Sequence, residues 1–177
     1  MRIIKIVVVP LFVVALFGCH TAIQKNYWGA NNSAAMEAES KGDLVQAEDE
    51  LKRALSRAMQ HLDNKELSSS YYNLGSFFRK QGRTPAAIYN LTKALELEEQ
   101  LTGMNSIRTS RRVAELCAAY LSDNNYTRSK PLALRLDNVQ HQYTDNEKDM
   151  VIALLNAHET DEAKNAAEFQ EVSIAAK

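Results

Sequence analysis

Apolar residues along the chain return every third or fourth position for most of its length, the spacing of one buried helix face. The pattern is clearest from Ser68 to Gln100. Tyr71, Leu74 and Phe78 form a stripe with Gly75 as a hole in it, where a second helix can approach backbone to backbone. Gln81-Gly82-Arg83 interrupts the stripe and Thr84-Pro85 restarts it, with Thr84 expected as the N-cap and Pro85 as the first helical residue. Ala87, Leu91 and Ala94 then form the facing stripe, small where the pair must close. The reading is two antiparallel helices joined by a glycine turn.

The same marks recur. Gly42, Ala47, Leu51 and Ala54 reappear as Gly82, Ala87, Leu91 and Ala94, an offset of 40 residues. A third copy, shifted by about two more, places Val113, Leu116, Cys117 and Tyr120 on its first helix and Ser129, Ala133 and Leu136 on its second. Cys117 takes the place of Gly75, Asn124-Asn125-Tyr126 forms the turn, and Pro131 is expected in the first turn of the second helix. The first copy is degenerate, with Ala34, Ala35 and Ala38 on its inner face. Asp145 to Phe169 is expected to form a weaker fourth pair, with an apolar face at Met150, Val151, Leu154 and Leu155. His158-Glu159-Thr160 is its expected turn, and residues 171–177 are expected to fray.

These helix pairs resemble the tetratricopeptide repeat (TPR). The pitch of about 40 to 42 residues exceeds the usual ~34, and the surplus falls at the ends of the second helices, Leu55 to Leu62 and Leu95 to Thr102. That is similar to the long-helix TPR subtype of kinesin light chain and many bacterial repeat proteins. The resemblance implies an all-α fold, a right-handed superhelix (α-solenoid) of three to four pairs over residues 32–170. It implies nothing specific about function, because such arrays host many unrelated partners.

The N-terminus follows a different pattern. Arg2 and Lys5 precede an apolar run from Ile6 to Phe17, the length of a signal peptide and too short to span a bilayer. Leu16-Phe17-Gly18-Cys19 resembles the lipobox of bacterial lipoproteins, although Phe17 is bulkier than usual there. The resemblance implies cleavage after Gly18, lipidation (diacylglyceryl and palmitate-type acylation) at Cys19, and a lipid anchor in the membrane. His20, in place of the aspartate that favours inner-membrane retention, points to the periplasmic face of the outer membrane. Residues 1–18 are thus a signal peptide and 19–31 a tether, with Trp28 expected to plug the first helix.

Losing residues 1–18 moves the formal charge from −1 to about −3, which gives no attraction to nucleic acid. With Cys19 acylated, Cys117 is left alone, so there is no disulfide framework and packing must hold the fold. The four histidines, His20, His61, His141 and His158, belong to no metal-binding or nucleophile motif. No metal, cofactor or catalytic residue is expected. The acidic clusters Asp43-Glu48-Asp49-Glu50 and Glu96-Glu98-Glu99 are expected as solvated surface, with Glu48–Lys52 and Asp49–Arg53 as i,i+4 pairs.

Stacked TPR pairs line their concave side with first helices. On that side the alignment places Tyr72, Ser76, Arg79 and Lys80 from the second copy, with Arg108, Arg111 and Ala114 from the third. An aromatic and basic centre of this kind suits an acidic or carboxylate-bearing peptide of a protein partner. The expected packing residues are Leu74, Gly75, Phe78, Ala87, Leu91, Ala94, Leu116, Cys117 and Tyr120. The sequence therefore favours a non-catalytic scaffold or assembly factor in the bacterial envelope. The alternatives are a self-associating structural module (a homo-oligomer) and a regulatory or immunity-type subunit that inhibits a neighbouring enzyme.

Overall fold

The computed structural model describes residues 27–61 and 63–137, with isolated positions 153, 156 and 160. The expected signal peptide, Cys19, most of the tether and nearly all of the fourth pair lie outside them. Among the described residues there are six helices and no strand: α1 (27–40), α2 (Leu44–His61), α3 (Asn64–Lys80), α4 (Thr84–Thr102), α5 (Ile107–Ser122) and α6 (Tyr126–Asp137). Residues 27–31, expected as the end of the tether, are helical. Position 160, expected in a turn, is helical too, its hydroxyl donating to the Asn156 carbonyl at 3.1 Å.

Three turns share one hydrogen-bond pattern. The left-handed residue is Gly42 (φ 77°), Gly82 (φ 69°) or Asn124 (φ 53°). The amide of the next residue reaches back to Ala38, Phe78 or Tyr120, at 2.9 Å in each case. This is the Schellman closure, which satisfies carbonyls that the ending helix leaves open. Asn124 serves in the third turn because asparagine tolerates left-handed backbone better than other non-glycine residues.

Two of these turns also cap the helix that comes after them. The Asp43 carboxylate accepts from the Gln46 amide at 3.0 Å, and the Asn125 side chain accepts from Arg128 N at 3.3 Å. Between α2 and α3, Asp63 caps through Lys65 and Glu66, at 3.0 and 3.1 Å. The start of α4 departs from the expectation. Arg83, not Thr84, is the capping residue, with no side-chain cap bond. Its amide is held by Phe78 in the turn and its carbonyl accepts the first helical bond from Ala87, so the helix begins one residue early. Arg83 instead lays its guanidinium 4.2 Å from the centre of the Phe78 ring. Pro131 is also displaced from its expected place. It lies inside α6, past the first turn, because that helix already begins at Tyr126. Pro131 and Thr127, whose carbonyl loses its partner, are both exposed, so water can satisfy the carbonyl.

The backbone divides into two compact units, residues 1–70 and 71–177, with the boundary inside α3. In the first, the core is largely alanine: Ala35 and Ala38 of α1 with Ala47, Leu51, Ala54 and Ala58 of α2. The Trp28 indole donates to the Ser70 hydroxyl at 2.8 Å, so its ring is a half-buried bracket between α1 and the start of α3. In the second unit, Leu74, Phe77, Phe78, Leu91, Leu95, Val113, Leu116 and Leu136 form the core. A Cβ added to Gly75 would lie 2.7 Å from Leu91 Cγ and 3.0 Å from the Leu91 backbone nitrogen, which is how closely α3 and α4 approach. Between α5 and α6, the Cys117 thiol donates to the Ser129 carbonyl at 3.5 Å. Burial pushes that thiol up to about 11. Ala87, Ala94 and Cys117 are wholly buried, and Tyr120 is half-buried with Arg128 over its ring.

Candidate partner-binding surface

The α3 residues Tyr72, Ser76, Arg79 and Lys80 lie on one face at helical spacing, beside α5. Two contacts set the register. The Arg112 guanidinium sits 3.9 Å from the centre of the Tyr72 ring, and about two turns further along α3 and one along α5, Arg79 Nε reaches Glu115 Oε1 at 2.7 Å. Both contacts advance in the same chain direction, so α3 and α5 run parallel, as first helices of successive pairs must.

The basic centre expected here carries its own counter-charges. Arg79 is paired with Glu115. Arg108 Nε is 2.9 Å from Glu98 Oε1, and Arg112 Nη2 is 3.5 Å from Glu98 Oε2. Glu98 has no exposed surface and Arg112 is only 8% exposed. Burial lowers the pKa of the Arg112 guanidinium, while Glu98 and then Tyr72 oppose the shift. Lys80 and Arg111 are the exposed cations of the face. Ala114, expected to point outward, is buried. Two buried polar atoms on or beside this face, Ser76 Oγ and Arg112 Nε, have no hydrogen-bond partner.

The acidic runs are therefore not simply solvated. Glu98 closes the Ala87, Leu91, Ala94 stripe at the next helical position, where the first copy has the buried Ala58. That register was a readable signal for its burial. Its charge is compensated by arginines that arrive from α5, which no local pattern announces. Glu50 is buried as well, held by Asn31 and by Arg53 at 2.6 Å, so the i,i+3 pair replaces the expected Asp49–Arg53 contact. Glu48–Lys52 forms at 2.7 Å. Glu99 receives Arg135 of α6, whose other nitrogen donates to the Met104 carbonyl at 2.6 Å and ties α6 to the α4–α5 loop.

Among the described residues no cluster of three His, Cys, Asp or Glu side chains is placed to hold a metal, and no helix is long and apolar enough to cross a membrane. What this face offers chemically is recognition: an aromatic ring, guanidinium edges, a hydroxyl and exposed cations.

No protein-family model matches the chain, and no curated protein matches it. Among solved structures it is similar to the crystal structure of BtubC (BKLC) from P. vanneervenii, with a TM-score of 0.64 at 16% identity. The match covers 85% of this chain and 65% of that one, so the chain spans just under two thirds of its neighbour's length. At that identity the likeness concerns the fold alone, and the fold is all-helical and TPR-like.

Proposed function

We propose that this chain is a non-catalytic TPR-type lipoprotein, anchored through Cys19 on the periplasmic side of a bacterial envelope, that holds a partner protein through its α3–α5 face. The observation that carries the binding face is the pair of buried, unfilled polar atoms, Ser76 Oγ and Arg112 Nε, beside the stacked Tyr72 ring. Buried polar atoms almost always find partners, so these two mark the face; neither touches solvent, and a partner's acceptor reaches them only when the side chains around them move aside. A carboxylate or backbone carbonyl supplies that acceptor. Because Glu115 and Glu98 already hold Arg79 and Arg108, an acidic ligand competes with internal pairs rather than meeting bare charge. Selectivity then comes from shape and hydrogen bonding, with Lys80 and Arg111 steering approach. The lipid anchor is supported by the lipobox resemblance at Leu16-Phe17-Gly18-Cys19.

Crosslinking and capture from intact envelopes tests the face. Lys80→Glu/Arg111→Glu reverses the exposed charges and leaves the Tyr72–Arg112 stack in place. Loss of one envelope protein from the captured set is the expected result. Retention of that protein at wild-type yield would move the binding surface elsewhere. The anchor is tested separately by Cys19→Ser, which should leave the outer-membrane fraction.

A further inference from the structure

The α2 sequence is split by charge: Glu48, Asp49 and Glu50 in its first half, then Lys52, Arg53, Arg57 and His61. Arg53, Ser56, Arg57 and Gln60, at i, i+3, i+4 and i+7, make one surface stripe, and they line an open cavity of about 220 Å³. Arg53 spends one nitrogen on Glu50. Arg57 has no acidic partner among the described residues; its guanidinium is held 4.9 Å from the centre of the Tyr27 ring. Tyr27 is half exposed beside it. Stacking fixes the plane of a guanidinium and leaves its N–H edge free for an oxyanion. The Ser56 hydroxyl and the Gln60 amide belong to residues that line the same cavity.

We infer that this stripe binds the phosphate of anionic phospholipid headgroups and so sets how the first unit lies on the membrane. The choice of a lipid phosphate over other oxyanions rests on the lipid-anchored reading above. Tyr27 is eight residues from Cys19, and eight residues reach at most about 28 Å, so an acylated Cys19 keeps the stripe close to the headgroups. An exposed aromatic ring beside arginine is the side-chain pair that settles at a membrane–water boundary.

The test uses the mature protein as extracted from its host, reconstituted into phosphatidylcholine vesicles with or without phosphatidylglycerol. Trp28 is the only tryptophan and adjoins Tyr27, so its quenching by a headgroup-attached spin label reports docking directly. Docking should strengthen with phosphatidylglycerol. Arg57→Glu changes the local charge by two units, at about five-fold each, and should lower the docked-to-undocked ratio roughly 25-fold. Arg57→Lys keeps the charge but loses the stacked planar edge, so its docking should fall between wild type and Arg57→Glu, and both variants should show wild-type circular dichroism melts. Quenching that ignores headgroup charge, or persists in Arg57→Glu, overturns the inference. So does loss of a crosslinked protein in Arg57→Glu with Trp28 quenching intact, because the stripe then serves a protein. Mass spectrometry of the same sample separates the two readings. If Cys19 is acylated and Trp28 stays remote, the anchor stands and the headgroup site falls. If Cys19 is bare and docking still depends on Arg57, the site stands and the anchor falls.

Discussion

Gly75→Ala is the sharpest probe of the α3–α4 contact, because two opposing terms set its sign. In an open helix the change would stabilise by up to about 1 kcal/mol, since alanine loses less backbone freedom than glycine. Here the new methyl would meet Leu91 Cγ at 2.7 Å, Leu91 Cδ2 at 3.0 Å and Leu91 N at 3.0 Å. Leu91 has no exposed surface and cannot swing away. Overpacking of this kind costs about 1–3 kcal/mol, so the net should be a loss of roughly 0.5–2 kcal/mol. For a chain of this size that lowers Tm by about 2–4 °C per kcal/mol. Leu91→Ala by itself should cost about 2–5 kcal/mol, but it removes two of the three close atoms. In that background Gly75→Ala should become neutral or mildly stabilising. A double-mutant cycle by urea denaturation, followed by far-UV circular dichroism, measures the coupling. A Gly75→Ala protein that melts above wild type would refute the close-contact argument. So would an unchanged cost in the Leu91→Ala background.

Other outcomes depend on single residues. Glu98→Gln removes the charge that compensates buried Arg112 and should destabilise by about 3–5 kcal/mol, far more than Glu96→Gln on the exposed side; paired chemical denaturations check this. The Cys117 thiol, raised from 9.0 to about 11 in the fold, favours the native state only while neutral. Its contribution is complete below about pH 9 and declines through pH 11. Wild type should therefore lose more stability between pH 8 and pH 11 than Cys117→Ala does, and a thiol reagent should label Cys117 only after unfolding. Gly82→Ala should cost about 1 kcal/mol although nothing lies within 4 Å of the new Cβ, because the penalty is its φ of 69°. Asn124→Gly, at φ 53°, should gain a few tenths, and thermal melts of both variants check the pair.

What the sequence settles by itself is local and periodic. Stripes of Ala, Leu and Phe at helical spacing, Gly42 and Gly82 at matched positions, and Asn124 in the third turn announce helix, turn and repeat, because each depends on neighbours within about five residues. The hole at Gly75 and the stripe that carries Leu91 could be read for the same reason, whereas the structure shows that Leu91 is the residue that lies over Gly75. The helix start at Thr84, capped by Arg83, and the interior place of Pro131 were harder, since a Schellman closure and the next helix's first bond share residues there. The charges were decided only by tertiary structure. Arg112, Arg79 and Glu115 carry polar side chains that a pattern assigns to solvent, and Glu98, whose register points inward, carries no local sign of what compensates it. Their burial or pairing depends on which residues the neighbouring helices deliver, 10 or more positions away for Glu98 and its arginines and 36 for Arg79 and Glu115. Hydrophobic phase is written along one helix, whereas electrostatic compensation is a property of at least two helices together. The basic centre legible in Tyr72, Arg79 and Arg108 therefore became a compensated network only when α3, α4 and α5 were brought together.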